Sequence, residues 1–321
     1  MLMNSSKMIF LKMMVISTIM MISSMNLMFS WISMEINLIM FIPMLTKSKK
    51  LKDQPMKYFI IQSLSSSMLL IAMLMNSKIE SPINLSMLMM ASMLMKMGLM
   101  PFHLWLPSIM QKMSWKKCMI LSTWQKISPT ILICQLISMK EMIFPMMISL
   151  ILSPMSMIKS MSTKKIMAFS SINNMPWMIM SMMISKNTFF TFFVIYSMIN
   201  IMLMNNFKNL NINFMNQMIE KKKNMKINLI VNFLSMSGFP PTIGFFLKWM
   251  ILQKMMNLSK FLSMIMIISS LISSFIYLKM TISMFTMMNS KKKNSKSKMF
   301  TSNNITMNLL MTLTFMFLKP N

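Results

Sequence analysis

Apolar stretches recur from one end of the chain to the other, each closed by a short polar turn. About 20 apolar residues in an α-helix rise roughly 30 Å, the thickness of the hydrocarbon layer of a bilayer. Read in windows of that length, the sequence predicts eleven spans near 3–24, 26–46, 57–77, 84–106, 117–138, 141–160, 166–186, 188–207, 226–252, 258–282 and 304–319. So many such stretches exceed what one soluble core can bury. The expected fold is all-α: a polytopic membrane protein forming a single transmembrane domain over 1–321. Its longest connections are 208–225 and 283–303. The latter sets Lys291, Lys292, Lys293, Lys296 and Lys298 among Asn and Ser and reads as a mobile solvated loop. The first stretch carries Lys12 and no small-residue cleavage site, so it reads as a retained span rather than a cleaved signal.

Charge refines this picture. All 33 basic residues are lysine, against 5 acids, for a net charge of +28. A balance so basic invites nucleic acid or anionic lipid as partner, but its placement points to topology instead. Twenty-two lysines fall in the loops after even-numbered spans: Lys47 to Lys57, Lys112 to Lys117, Lys159 to Lys165, Lys208 to Lys226, and Lys279 to Lys298. Only Lys78, Lys140, Lys186, Lys254 and Lys260 fall on the other side. The positive-inside rule then puts the N-terminus and the even loops in the compartment of synthesis.

Four charges remain inside apolar spans: Glu35, Lys96, Lys126 and Lys248. Each charge at the bilayer centre costs roughly 2.5–3.5 kcal/mol on insertion scales. Lys126 is about ten residues from either end of its span, roughly 15 Å, too far for comfortable snorkelling. One acid with three bases suggests a proton or ion pathway; the alternative is purely structural pairing. The glycines lead to the same places. All 3 fall in KMGLMPFHLWLP (Gly98, with Pro101 and Pro107) and SGFPPTIGFFLKW (Gly238, Pro240, Pro241, Gly244). Proline removes a helix hydrogen bond and clashes with the preceding turn, so both segments are expected to break their helices. Broken membrane helices persist where the freed backbone is buried in protein or lines a wet cavity, and transporters pair them around charged sites. Here Lys96 stands just before one break and Lys248 just after the other.

Composition excludes much chemistry. Two cysteines and 1 histidine cannot hold an iron–sulfur cluster or a four-ligand zinc site, and 3 glycines supply no nucleotide fingerprint. Cys118 and Cys134, on one straight helix, would stand roughly 24 Å apart and could not be joined. The 59 methionines, the scarcity of Gly and Ala and the absence of arginine follow coding bias better than helix propensity. They suit a genome poor in G and C whose code has a second methionine codon, as in animal mitochondria.

The same segments carry a resemblance. KMGLMPFHLWLP, TWQKISP (123–129), WISMEINLIMFIPML (31–45) and SGFPPTIGFFLKW closely resemble motifs of the chain 2 family of mitochondrial NADH–ubiquinone oxidoreductase. These are antiporter-like subunits of respiratory complex I. KYFIIQ (57–62) and SSINNMPWM (170–178) fit more loosely, and the match runs in order over about 5–280, in an arthropod-like form. The resemblance implies an antiporter-like inverted-repeat fold lacking three N-terminal helices of bacterial relatives, in the mitochondrial inner membrane with the N-terminus on the matrix side. It implies that Glu35 and Lys96 are the paired acid and base, that Lys126 is the central lysine, and that Lys248 passes protons toward the exit side. It also implies that NADH, FMN, iron–sulfur clusters and ubiquinone serve other subunits, with no cofactor in this chain. Its partners would be neighbouring membrane-arm and antiporter-like subunits and lipids, cardiolipin among them, with no nucleic acid. Two departures stand out: Asn174-Met175-Pro176-Trp177 where the family often has His-Met/Leu-Gly-Trp, and Phe246-Leu247 where it often has Leu-Pro before the lysine. His103 reads as structural or water-ordering rather than as a relay. A free-standing cation/proton antiporter and a structural arm subunit without pumping are the alternatives.

Overall fold

In lipid every backbone N–H and C=O must find a partner within the protein, and a helix does this within one segment. The computed structural model describes residues 5–46, 53–76, 82–219, 221, 223–240 and 242–286, and in them it is helical. Extended pairing among the described residues is confined to an isolated bridge between Ser162 and Phe214. The helices are α1 (Ser5–Ser23), α2 (Leu27–Leu45), α3 (Asp53–Asn76), α4 (Pro82–Met97), α5 (Trp105–Lys112), α6 (Trp115–Ser122) and α7 (Ile127–Leu136). There follow α8 (Met139–Lys159), α9 (Thr163–Ile184), α10 (Lys186–Asn209), α11 (Asn216–Ile219), α12 (Lys223–Ser237), α13 (Ile243–Leu258) and α14 (Lys260–Thr286). Six of them, α1, α2, α3, α8, α10 and α14, are long and apolar enough to cross a membrane by length and composition alone.

Several edges differ from the sequence-based expectation. α3 starts at Asp53, so Lys57 stands on a helix, and α13 runs through Lys254 to Leu258. Lys226, expected in a loop, lies on α12 with 3% of its surface exposed. The stretch expected as one span over 117–138 is two helices, α6 and α7, separated by a single 3-10 turn, Trp124–Lys126. Its apolar run shows no glycine, which is why hydropathy alone reads it as continuous. Cys118 and Cys134 fall on either side of that turn rather than on one straight helix. α14 continues through 286, so the first residues of the expected loop 283–303 are helical. The rest of that loop, the span 304–319, and Glu220, Lys222 and Pro241 lie outside the described residues.

The chain divides into two compact units, Met1–Ser149 and Leu150–Asn321. In the first, α2 packs between α1 and α3, α4 packs on α3 and α7, and α7 also reaches α1. In the second, α9 packs on α10 and α13, while α12 packs on α10, α13 and α14. Polarity is arranged for lipid. On α14 an exposed stripe of Phe261, Met264, Ile268, Leu271, Phe275 and Ile282 backs a buried stripe holding Ser269, Ser273 and Tyr277. With Gly and Ala nearly absent, serine is the small residue at the helix contacts. Its hydroxyl donates to the carbonyl three residues earlier, as in Ser17 to Met14, Ser33 to Ser30 and Ser149 to Met146.

Candidate functional site

In the first unit the site begins where α4 stops. The N–H of Gly98 donates to the Met95 carbonyl at 3.2 Å and that of Leu99 to the Leu94 carbonyl at 3.0 Å. This is a Schellman closure, and Gly98, at φ +70°, occupies its left-handed position. The closure leaves Lys96 in the last turn of α4. Carbonyls freed there are taken by side chains: Trp105 Nε1 donates to Met95 at 3.1 Å and Gln62 Nε2 to Lys96 at 3.3 Å. From α2, Glu35 Oε1 stands 3.8 Å from Lys96 Nζ, and Met34 Sδ stands 3.9 Å from it. The Lys96 side chain is 6% exposed and that of Glu35 24%. At this distance the pair is an ion pair looser than a charge-assisted hydrogen bond.

Lys126 closes the 3-10 turn between α6 and α7 and is 3% exposed. At this turn the bonding shifts from four-residue to three-residue steps: Thr123 N–H still reaches Met119, but Lys126 N–H reaches Thr123 at 3.2 Å. The neighbouring Gln125 donates from Nε2 to Asn37 Oδ1 of α2 at 2.9 Å and lies 3.4 Å from Met14 Sδ of α1. Lys96 and Lys126 line the same cavity of about 30 Å³, together with Asn37, Tyr58, Gln62 and Gln125. A single water needs roughly 10–15 Å³ by this measure, so there is room for a water or two between polar partners. Tyr58 is held by edge-on contacts to Phe41 and Trp105 at 5.2 and 6.0 Å between ring centres. His103 turns instead to the Pro101 carbonyl at 3.3 Å, in the break, and is not among the lining residues. Pro101 lies in the break itself, whereas Pro107 sits in the first turn of α5, where proline is tolerated.

The second unit repeats the helix end with a different charge arrangement. α12 closes at Gly238, φ +74°, with Phe239 N–H on the Leu234 carbonyl at 3.2 Å. Pro240 follows in the break, and Thr242 Oγ1 donates to the Phe239 carbonyl at 2.6 Å. Lys248 of α13 reaches back, its Nζ donating to the Ser237 carbonyl at 3.0 Å and standing 5.9 Å above the centre of the Trp177 ring. Gly244 falls in the first turn of α13 rather than in the break. A Cβ there would run into the Ser235 carbonyl, so the residue serves close approach of α13 to α12.

The geometry thus brings Glu35, Lys96 and Lys126 together in one unit and sets Lys248 on a helix end and an indole ring in the other. Sequence reasoning missed Asn37, Gln62, Gln125 and Trp177. Asn37 and Gln125 had a visible signal, two amides beside charged residues in apolar runs. Trp177 lay within a quoted motif, and α9 stays helical through the departing Pro176.

Comparisons with known proteins bear on this arrangement. Residues 24–276 match the family described as NADH:quinone oxidoreductase/Mrp antiporter, transmembrane. The chain is 37% identical to NADH-ubiquinone oxidoreductase chain 2 of Locusta migratoria over 305 residues, 90% of this chain and 88% of that one. It is 33% identical to the chain 2 protein of Anopheles gambiae, over 88% of this chain and 87% of that one. Among solved structures, a chain of respiratory complex I from Thermus thermophilus superposes with a TM-score of 0.79 at 14% identity. That match covers 97% of this chain and 78% of the other. A chain of the Mrp complex from Dietzia superposes with a TM-score of 0.72 at 12% identity, over 91% and 61%. At such identities these two structures speak to the fold alone.

Proposed function

From the premise that this chain belongs to the NADH-ubiquinone oxidoreductase chain 2 family, we propose that Glu35, Lys96, Lys126 and Lys248 form its proton path. The chain is a membrane-arm subunit of respiratory complex I, the enzyme that couples NADH:ubiquinone oxidoreduction to proton translocation across the mitochondrial inner membrane. The redox groups belong to other subunits and this chain holds none. We propose further a single domain of eleven spans with the N-terminus on the matrix side. Neighbouring membrane-arm subunits and lipids, including cardiolipin, complete its surroundings.

The observation that carries this reading is the cavity shared by Lys96 and Lys126, with Glu35 3.8 Å from Lys96. An ammonium taken out of water holds its proton less firmly, and a carboxylate brought beside it reverses this. With Glu35 close, Lys96 takes a proton from the matrix side. When Glu35 withdraws, Lys96 becomes the donor and passes the proton through water to Lys126. Lys248 then hands it toward the exit side. The push that moves Glu35 originates elsewhere in the complex.

Two measurements test this. On a native gel of solubilised mitochondrial membranes the chain should run with the high-mass band that oxidises NADH; migration alone or as a small oligomer would favour a free-standing antiporter. In assembled complex, Lys126→Met and Glu35→Gln should each lower coupled turnover while electron input from NADH stays intact. Unchanged turnover and unchanged protons per electron in both variants would remove the relay.

A further inference from the structure

Lys126 stands on a single turn of 3-10 helix in the middle of an apolar stretch. Such a turn bonds its backbone less well than the α-helix on either side and is a poor holder of a side chain by itself. What fixes it is an amide clasp. Gln125 Nε2 donates to Asn37 Oδ1 at 2.9 Å, joining the turn to α2, two residues beyond Glu35. Asn37 is 3% exposed and Gln125 half-buried, so bulk water does not compete freely for the bond. A buried amide without its partner carries a desolvation cost that the bond otherwise offsets. Both amides also line the cavity that holds Lys96 and Lys126.

We propose that Gln125 and Asn37 are the positioning pair of the relay, holding the turn so that Lys126 faces the water space it shares with Lys96. The inference rests on the reading that Lys126 carries protons. Neither amide accepts or gives up a proton; each acts through the lysine. The clasp also ties the Lys126 turn to the helix that carries Glu35, so movement of α2 reaches the turn as well as the ion pair. The same donor lies 3.4 Å from Met14 Sδ of α1, a weak acceptor that leaves Asn37 as the stronger of its two partners.

The alternative is that the pair only satisfies two buried amides and keeps the helices packed. The two roles separate in a double variant. Asn37→Leu or Gln125→Met alone leaves the other amide without its stronger partner and should lower the amount of assembled complex. The double Asn37→Leu/Gln125→Met replaces both partners by apolar groups of similar shape, a change that is nearly neutral for packing. It should therefore restore assembly. Coupled turnover per assembled complex, read against NADH oxidation by the same sample, should remain depressed on the order of 10- to 100-fold, the size of effect a misplaced group produces. The KM for quinone should not move. Normal turnover per complex in the double variant would overturn the positioning role and leave packing as the function of the pair. Lys126→Met, run in parallel, tells the two ideas apart. If it retains full turnover, the relay through Lys126 is wrong; if it loses turnover while the double variant does not, only the clasp is.

Discussion

Three glycines occur in 321 residues, and each stands where a side chain meets an obstacle. Gly98 and Gly238 take φ of +70° and +74°, and Gly244 lies against the Ser235 carbonyl. In a chain whose composition has been pushed away from glycine, the survivors mark the backbone positions at which lysines 96 and 248 are set. Left-handed backbone costs an ordinary residue about 1–2 kcal/mol, and asparagine visits it more readily. Asn211, at φ +51°, does so at the end of α10. Gly98→Asn is therefore expected to assemble better than Gly98→Ala, compared by the amount of high-mass complex on a native gel; the reverse order would remove backbone conformation as the reason for the glycine. Gly244→Ala should lower assembly more than either, because the obstacle is backbone and cannot turn aside. At this scale much of the site was legible: a charge in an apolar run announces itself. Lys226 was not, because near a helix start and beside other lysines it looks like a loop residue. Gln125 and Asn37 were passed over since a neutral amide carries no comparable insertion cost.

Two of the helix interruptions have a glycine that closes the preceding helix, and both are visible in the residues. The third, before Lys126, has none. Its one trace is Pro129, third residue of α7. In the first turn of a helix its missing N–H costs nothing, but in an unbroken helix from α6 to α7 it would deny the Gln125 carbonyl its partner and clash with the preceding turn. Pro129 thus makes closure of the gap costly, although α9 and α2 each bear such a cost at Pro176 and Pro43. Pro129→Ala removes that cost. The variant is expected to assemble in normal amount, with thermal stability no lower than the parent, while coupled turnover falls; turnover at the parent level would show that the interruption is dispensable. Periodicity could not find this gap, because a 3-10 turn changes bonding without changing the apolar content of the window.

For the molecule as a whole, the lysine distribution makes a prediction about sides. A cysteine at Lys165 should react with a membrane-impermeant thiol reagent from the matrix side, and one at Lys186 from the opposite side. Labelling of both from one side would mean that the number of crossings in α9 has been misjudged. The two halves also differ in how they balance a charge. Glu35, beside Lys96, is a side chain: it can be drawn away, and the balance goes with it. Lys248 rests on the Ser237 carbonyl, at the end of α12 where the helix dipole leaves roughly half a negative charge. That balance is built into peptide bonds and cannot be removed by rotating a side chain. On the proposed relay the first half is therefore switched by moving a counterion. The second is held by a backbone carbonyl that stays in place, so on the same proposal its proton is released by a change of hydration around the ammonium or a shift of α13 along α12. On that proposal one half is an electrical switch, the other a hydraulic one.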